Sequence, residues 1–152
     1  LCIVSHLPHA ANGNISWAHK HPQMDSETEV LDELLQRRRL MINAGIDPAN
    51  IILDPGIGFG KTKELNYRLL KFGQLMTDRL LLQKLDSQAL DEPVIKVMIG
   101  HSQKRMIADY FGGDKTATVA NLRAALIAIH AQASYLRVHD VPAHAELIRS
   151  AS

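Results

Sequence analysis

Parallel β/α units are the architecture this sequence predicts, and three observations lead there. Short apolar runs rich in strand formers alternate with segments of helical periodicity. The clearest of those runs, Ile51-Ile-Leu53, is continuous, as expected of a parallel strand covered on both faces. Each run also ends in polar or Gly-rich residues, where β/α folds gather their chemistry. The chain has 152 residues, whereas a complete eight-stranded barrel needs about 250. Four units therefore suit half of a (β/α)8 TIM barrel, about strands five to eight, and a flavodoxin-like doubly wound sheet stays open.

The elements follow in order. Leu1-Cys-Ile-Val4 is the first strand, ending in Ser5-His6, and Leu7 to Met24 reads as a long loop. Ser26 with Glu29 forms a capping box. Val30, Leu31, Leu34, Leu35, Met41 and Ile42 then recur at helical spacing up to a left-handed stop at Gly45. Glu33 and Arg37 are spaced for an i,i+4 pair. The second strand, Ile51–Leu53, ends at Asp54 and the loop Pro55-Gly-Ile-Gly-Phe-Gly-Lys61. A helix is predicted over Leu65, Leu69, Leu70, Leu75 and Met76. Thr77–Glu92 is ambiguous: its leucines favour helix, while Asp86, Ser87 and Asp91-Glu-Pro93 favour a turn. The third strand is Val94–Ile99, closed by Gly100, and a short helix runs through Met106, Ile107, Tyr110 and Phe111. An Ala-rich helix spans about Thr116–Gln132, Tyr135–Val138 is the fourth strand, and a closing helix follows Pro142.

Composition excludes several classes. With 17 Lys+Arg against 16 Asp+Glu, the chain lacks the basic surplus that displaces counterions from nucleic acid. No apolar run reaches the ~18 residues of a membrane span, and no basic-then-apolar leader is visible. One cysteine, Cys2, forbids an internal disulfide and fits a reducing, cytoplasmic setting. The chain opens on Leu1 in mid-strand and reads as a single partial domain, 1–152, of something longer.

Strand ends deliver His6, then Asp54, then Ser102 and Lys104, then Arg137 and His139. Any one of them can merely cap a helix; together they suggest a site. Asp54 before Pro55 places a carboxylate on a stiffened strand exit, suited to the N–H groups of a heterocycle. Gly56, Gly58 and Gly60 are candidates for a backbone anion nest, although their spacing fits neither the phosphate loop nor the dinucleotide fingerprint. Arg137 and His139, two apart on a strand, point to one side and suit a phosphate. The bland alternative for Arg137 is a solvated pair with Asp140. His6, His9, His19 and His21 invite a metal reading but lack a cysteine partner or a helical i,i+4 pair, so no metal ligand is assigned. His130 and His144 sit in helical segments and read as exposed or packed; Trp17 has no partner stripe for base stacking.

Taken together, these motifs resemble the dihydropteroate synthase family. Asn50-Ile-Ile-Leu-Asp-Pro-Gly-Ile-Gly-Phe-Gly-Lys-Thr62 is similar to its central signature, Arg137-Val-His-Asp-Val141 to its final strand, and Gly100-His-Ser-Gln-Lys-Arg105 to its Gly-x-Ser-Arg-Lys-Ser segment. The resemblance implies a pterin-binding barrel that joins 7,8-dihydropterin pyrophosphate to p-aminobenzoate and releases pyrophosphate with the help of Mg2+. It implies that Asp54 binds the pterin ring, that Gly100 and Lys104 complete its pocket, and that Arg137 and His139 hold the leaving pyrophosphate. Phe59 and Ser102 would lie on the p-aminobenzoate side, and His6 matches the histidine of a Met-His-Met strand end. Lys104, Arg137 and His139 are thus the expected catalytic group.

Departures are informative. Gln103 stands where the family has arginine, and Arg105 where it has a serine near the acceptor carboxylate. Thr77–Glu92 looks like an insertion in the outer layer. The family's opening Asn-Val-Thr-Pro-Asp-Ser-Phe-Ser strand and Gly-Gly-Glu-Ser-Thr loop have no counterpart, and with them go the main magnesium-associated groups. The chain therefore resembles the C-terminal half, expected to be inactive alone and to pair with the missing half or with a second copy. The rivals are the pterin-binding barrel of corrinoid methyltransferases and a non-catalytic barrel-half module.

Overall fold

The computed structural model describes residues 1–7, 24–86 and 94–151. Its elements are β1 (Cys2–Ser5), α1 (Glu27–Asn43), β2 (Ile51–Asp54), α2 (Lys63–Arg68), α3 (Phe72–Asp86), β3 (Lys96–Ile99), α4 (Arg105–Phe111), α5 (Thr118–His130), β4 (Tyr135–Leu136) and α6 (Val141–Ala151). The four strands form one sheet in the order β1-β2-β3-β4, every pair parallel. A doubly wound sheet reverses its order at a switch point. This one never does, so the flavodoxin alternative falls and a segment of barrel wall remains.

α1 begins as its capping residues predict, with the Ser26 hydroxyl accepting from the Glu29 N–H at 3.2 Å. It ends in a Schellman arrangement: Gly45 N–H reaches the Ile42 carbonyl at 2.9 Å and Ile46 N–H reaches that of Met41 at 3.0 Å. Gly45 adopts φ +91°, a region a Cβ disfavours. Val30, Leu31 and Leu34 are the apolar stripe this helix buries.

Register assigns each strand residue to a face. Val4, Ile51, Leu53, Val97, Ile99 and Leu136 pack with the helices into the core around Leu31, Leu34, Leu65, Leu70, Phe72 and Ile107. Ile3, Ser5, Ile52, Asp54, Met98 and Tyr135 alternate with them and fall on the opposite face, which in a closed barrel is the interior. Ile3 is 54% and Tyr135 41% exposed there, so no described helix covers this face at the two sheet edges.

Several boundaries differ from the sequence expectation. The helix expected over Leu65–Met76 divides at a single 3₁₀ turn, Leu69–Lys71. Leu65, Leu69, Leu70, Phe72 and Met76 are all buried, and tightening the turn keeps this crowded run facing the sheet. The ambiguous stretch from Thr77 is helical to Asp86; the turn expected beyond it lies outside the described residues. β3 starts at Lys96 rather than Val94, and β4 stops at Leu136 rather than Val138. Past Arg137, whose N–H still reaches the Ile99 carbonyl, the ladder gives way to a side chain, since the His139 N–H is directed to the Ser102 hydroxyl at 3.3 Å.

Gly56 joins the β2 exit to the end of β1. Its φ is +67°, and a Cβ built there would stand 2.0 Å from the His6 carbonyl oxygen, a backbone atom. Gly56→Ala therefore combines a disfavoured conformation with a clash that no rotamer change relieves. Urea unfolding is expected to show a loss of about 2–4 kcal/mol; a loss below about 0.5 kcal/mol would mean that this approach is not held in solution.

Candidate functional site

The site forms where the strands end. Asp54 is 1% exposed, and each of its carboxylate oxygens already accepts one hydrogen bond. Oδ1 accepts from the Gly56 N–H at 2.8 Å, and Oδ2 accepts from the Ser5 hydroxyl at 3.0 Å. Ser5 is also its register partner across the sheet. On the other side Arg137 Nη2 stands 3.8 Å from Asp54 Oδ2. The solvated pair of Arg137 with Asp140 is not what forms. Asp140 instead accepts from the Ala143 N–H at 3.1 Å and caps the start of α6.

Gly100 leaves the space that Arg137 uses. A Cβ at Gly100 would lie 2.8 Å from Nη2 and 3.1 Å from Nε of that guanidinium. Arg137 thus rises beside β3 over a residue with no side chain, and its own N–H is anchored to the Ile99 carbonyl at 3.0 Å. His139 follows, with Nδ1 3.1 Å from the Ser102 hydroxyl.

Lys104 completes the rim as the residue before α4. Its ammonium lies 4.2 Å from the centroid of the Phe59 ring, a cation–π contact. Burial and the nearby Arg137 charge both push the Lys104 pKa down, and Asp54 opposes them. Two cations around one carboxylate leave the rim short of negative charge, so an anion bound there would relieve a repulsion already present.

The structure therefore brings together Asp54, Phe59, Gly100, Ser102, Lys104, Arg137 and His139. Arg105 opens α4 with its side chain exposed and, among the described residues, makes no hydrogen bond or ion pair with the others. His6 is fully buried, with Nε2 3.2 Å from Glu33 Oε2, where α1 meets the sheet. Glu33 also carries the predicted i,i+4 pair, 3.0 Å from Arg37. His9, Trp17, His19 and His21 lie outside the described residues.

Two of the three amides of the expected anion nest, those of Gly56 and Gly58, are already taken. Gly56 N–H is taken by Asp54 Oδ1, Gly58 N–H by Asn66 Oδ1 at 2.6 Å, and Phe59 N–H by the Gly56 carbonyl at 3.3 Å. These amides have internal acceptors and cannot also serve a ligand.

Four supporting residues escaped the sequence reasoning. Ser5 orients Asp54. Asn66 holds the Gly-rich loop, donating to the Lys61 and Thr62 carbonyls at 3.2 and 2.9 Å while accepting from Gly58. Asn121 does the same for the β3–α4 loop, accepting from the Gln103 N–H at 2.9 Å where Gln103 adopts φ +55°. Lys61, 4% exposed, is the fourth. An asparagine inside an otherwise apolar helix was the signal for Asn121, since burial there demands partners.

A parallel β/α wall thus gathers a carboxylate and two cations at its strand ends. Comparison with known proteins narrows the class. Residues 4–139 match the family described as pterin binding enzyme, and the chain belongs to that family. It is 38% identical over 121 residues to a probable bifunctional folylpolyglutamate synthase/dihydropteroate synthase of Haloferax volcanii, covering 78% of this chain and 12% of that one. It is 30% identical over 136 residues to the dihydropteroate synthase of Mycobacterium leprae, covering 82% of this chain and 42% of the relative. The dihydropteroate synthase of Thermus thermophilus, solved in complex with 4-aminobenzoate, superposes with a TM-score of 0.72 at 28% identity, over 97% of this chain and 51% of that one. The chain spans about half the length, or less, of the relatives it matches.

Proposed function

We propose that this chain is a single partial domain forming strands five to eight of a dihydropteroate synthase barrel. In the complete protein it would condense 7,8-dihydropterin pyrophosphate with p-aminobenzoate and release pyrophosphate. One observation carries the reading: Arg137 reaches to 3.8 Å from the buried Asp54 carboxylate across the bare Gly100. That sets an acid and a guanidinium side by side at one rim. The solved relatives support it, one Thermus thermophilus structure being in complex with 6HMPPP and a Xanthomonas albilineans structure with 7,8-dihydropteroate.

In this reading Asp54 accepts from the N–H groups of the pterin, its charge held in place by Ser5 and Gly56. Arg137 lies against the ring, and with His139 it stabilises negative charge on the pyrophosphate as the C–O bond stretches. Lys104 meets the polar edge of the pterin, while Phe59 and Ser102 face the incoming p-aminobenzoate. The amine nucleophile needs placement more than activation. Arg105 would offer the acceptor carboxylate a guanidinium in place of the usual serine, and Gln103 removes one fixed charge from the rim. The Mg2+ implied by the family would share the neutralisation of the leaving pyrophosphate in the complete protein, its main ligands coming from the missing half; among the described residues no three His, Cys, Asp or Glu side chains group together.

No described helix is long and apolar enough to cross a membrane. A cytoplasmic setting and the absence of a nucleic-acid partner are parts of the same proposal. So is partnership with the missing half or a second copy, because among the described residues β1 and β4 are the sheet edges and bear exposed Ile3 and Tyr135.

The test is kinetic. The isolated chain is expected to form dihydropteroate at under about 1% of a complete enzyme's rate, the pterin site being present without its other wall. Sedimentation is expected to show association. A monodisperse monomer turning over at a full rate would overturn the half-barrel reading, and calorimetry showing no affinity for pterin pyrophosphate would support a purely structural module.

A further inference from the structure

Lys61 ends the Gly-rich loop, and the rim as described leaves it without a task. Its ammonium donates to three main-chain carbonyls: Gly56 at 2.9 Å, Phe59 at 3.0 Å and His6 at 3.3 Å. An ammonium has three protons, and these acceptors use all of them. Two belong to opposite arms of the loop and the third to the end of β1. A buried cation is costly unless it is well paired, so a mere spacer would be better served by an apolar chain of the same length.

The three carbonyls explain the location. Gly56 supplies the N–H that fixes Asp54 Oδ1. Phe59 supplies the ring over which Lys104 sits. Lys61 is thus one residue removed from the Asp54 carboxylate on one side and from the Lys104 cation on the other.

We propose that Lys61 is a positioning residue for the ligand site, locking the Gly-rich loop to β1 so that Asp54 and Phe59 keep their places when a pterin enters. The proposal rests on the reading of this rim as a pterin site.

Its protonation state supplies the readout. Burial lowers the Lys61 pKa to about 8, with Asp54 and Glu33 opposing the shift and Arg37 adding to it. Those charges face it from β2 and α1, and the His6 ring sits beside Glu33. When Lys61 loses its proton the amine keeps two donors and no charge, and the three-carbonyl lock opens.

The experiment compares wild type with Lys61→Met. Calorimetry with pterin pyrophosphate from pH 6.5 to 9.5 gives the ratio of the two dissociation constants, in which the titrations of the ligand and of Lys104 cancel. Wild type should bind about tenfold more tightly at pH 6.5, the advantage fading with a midpoint near 8 and vanishing by pH 9.5. A constant ratio, or equal affinities throughout, overturns the proposal while leaving the pterin site standing. Failure of wild type to bind pterin at any pH removes the site itself. If Lys61→Met does not fold, amide NMR of wild type provides the second measurement. The Phe59 and Gly60 resonances should titrate near pH 8, and pterin should raise that midpoint, because linkage is reciprocal; a midpoint that pterin does not move overturns the proposal.

Discussion

Asp54→Asn is expected to weaken pterin binding by about 100-fold or more. The carboxylate is almost wholly buried and accepts from Ser5 and Gly56, so its orientation is set before any ligand arrives. Hydrogen bonds to a charged acceptor are worth about 1.5–3 kcal/mol each, and a ring presenting two N–H groups would use two. The amide of Asn halves the acceptor capacity and must turn a donor toward either the Gly56 N–H or the ligand. It also leaves Arg137 facing no negative charge. Calorimetric titration of both proteins with a pterin measures the effect, and affinities within threefold of each other would remove Asp54 from the contact.

Acid is expected to weaken the fold through His101. This ring is fully buried and lies 5.5 Å from that of His144, tilted by 50°. Burial, and then the neighbouring His144 charge, lowers its pKa from 6.5 to about 4. The unfolded chain, with an ordinary histidine, binds the proton first as pH falls below 6.5, so stability rises with pH across this window and is lost on going down through it. The full shift corresponds to about 3 kcal/mol, against a typical total of about 5–15. His101→Phe keeps a ring in place but cannot titrate. Urea unfolding at pH 6.5 and 4 should show wild type losing about 3 kcal/mol more than the variant; equal losses in the two proteins would clear His101 of the effect.

Legibility in the sequence followed the range of the interactions. The second strand was readable from an unbroken apolar run, the third from one interrupted only by Lys96, and α1 from its cap, stripe and Gly45, because these are local. Asp54, Lys104, Arg137 and His139 were readable as strand-end residues, since the β/α plan itself places strand ends together. What stayed hidden depends on partners far along the chain. The 3₁₀ turn at Leu69–Lys71 answers to packing on the sheet. The extension of α3 was obscured because Leu81 and Leu82 are 58% and 59% exposed and so blur any apolar stripe. β4 is short because Ser102, 37 residues before His139, competes for its ladder. The nest reading lost ground for the same reason: Asp54 and Asn66 side chains occupy the Gly56 and Gly58 amides, and three alternating glycines carry no trace of that. Lys61 was visible in the motif, but its burial was not, since lysine is ordinarily exposed.

The unbroken sequential order of the strands has a mechanical consequence. Each β/α unit leans on its neighbours in the chain, much as the coils of a solenoid do, and nothing in the strand order clasps the second unit to the fourth. Asp54 and Arg137, 3.8 Å apart, already reach from the end of β2 to the end of β4, and a small molecule held by both would reinforce that clasp. Some of its binding energy would then be stored as stiffness of the protein that holds it.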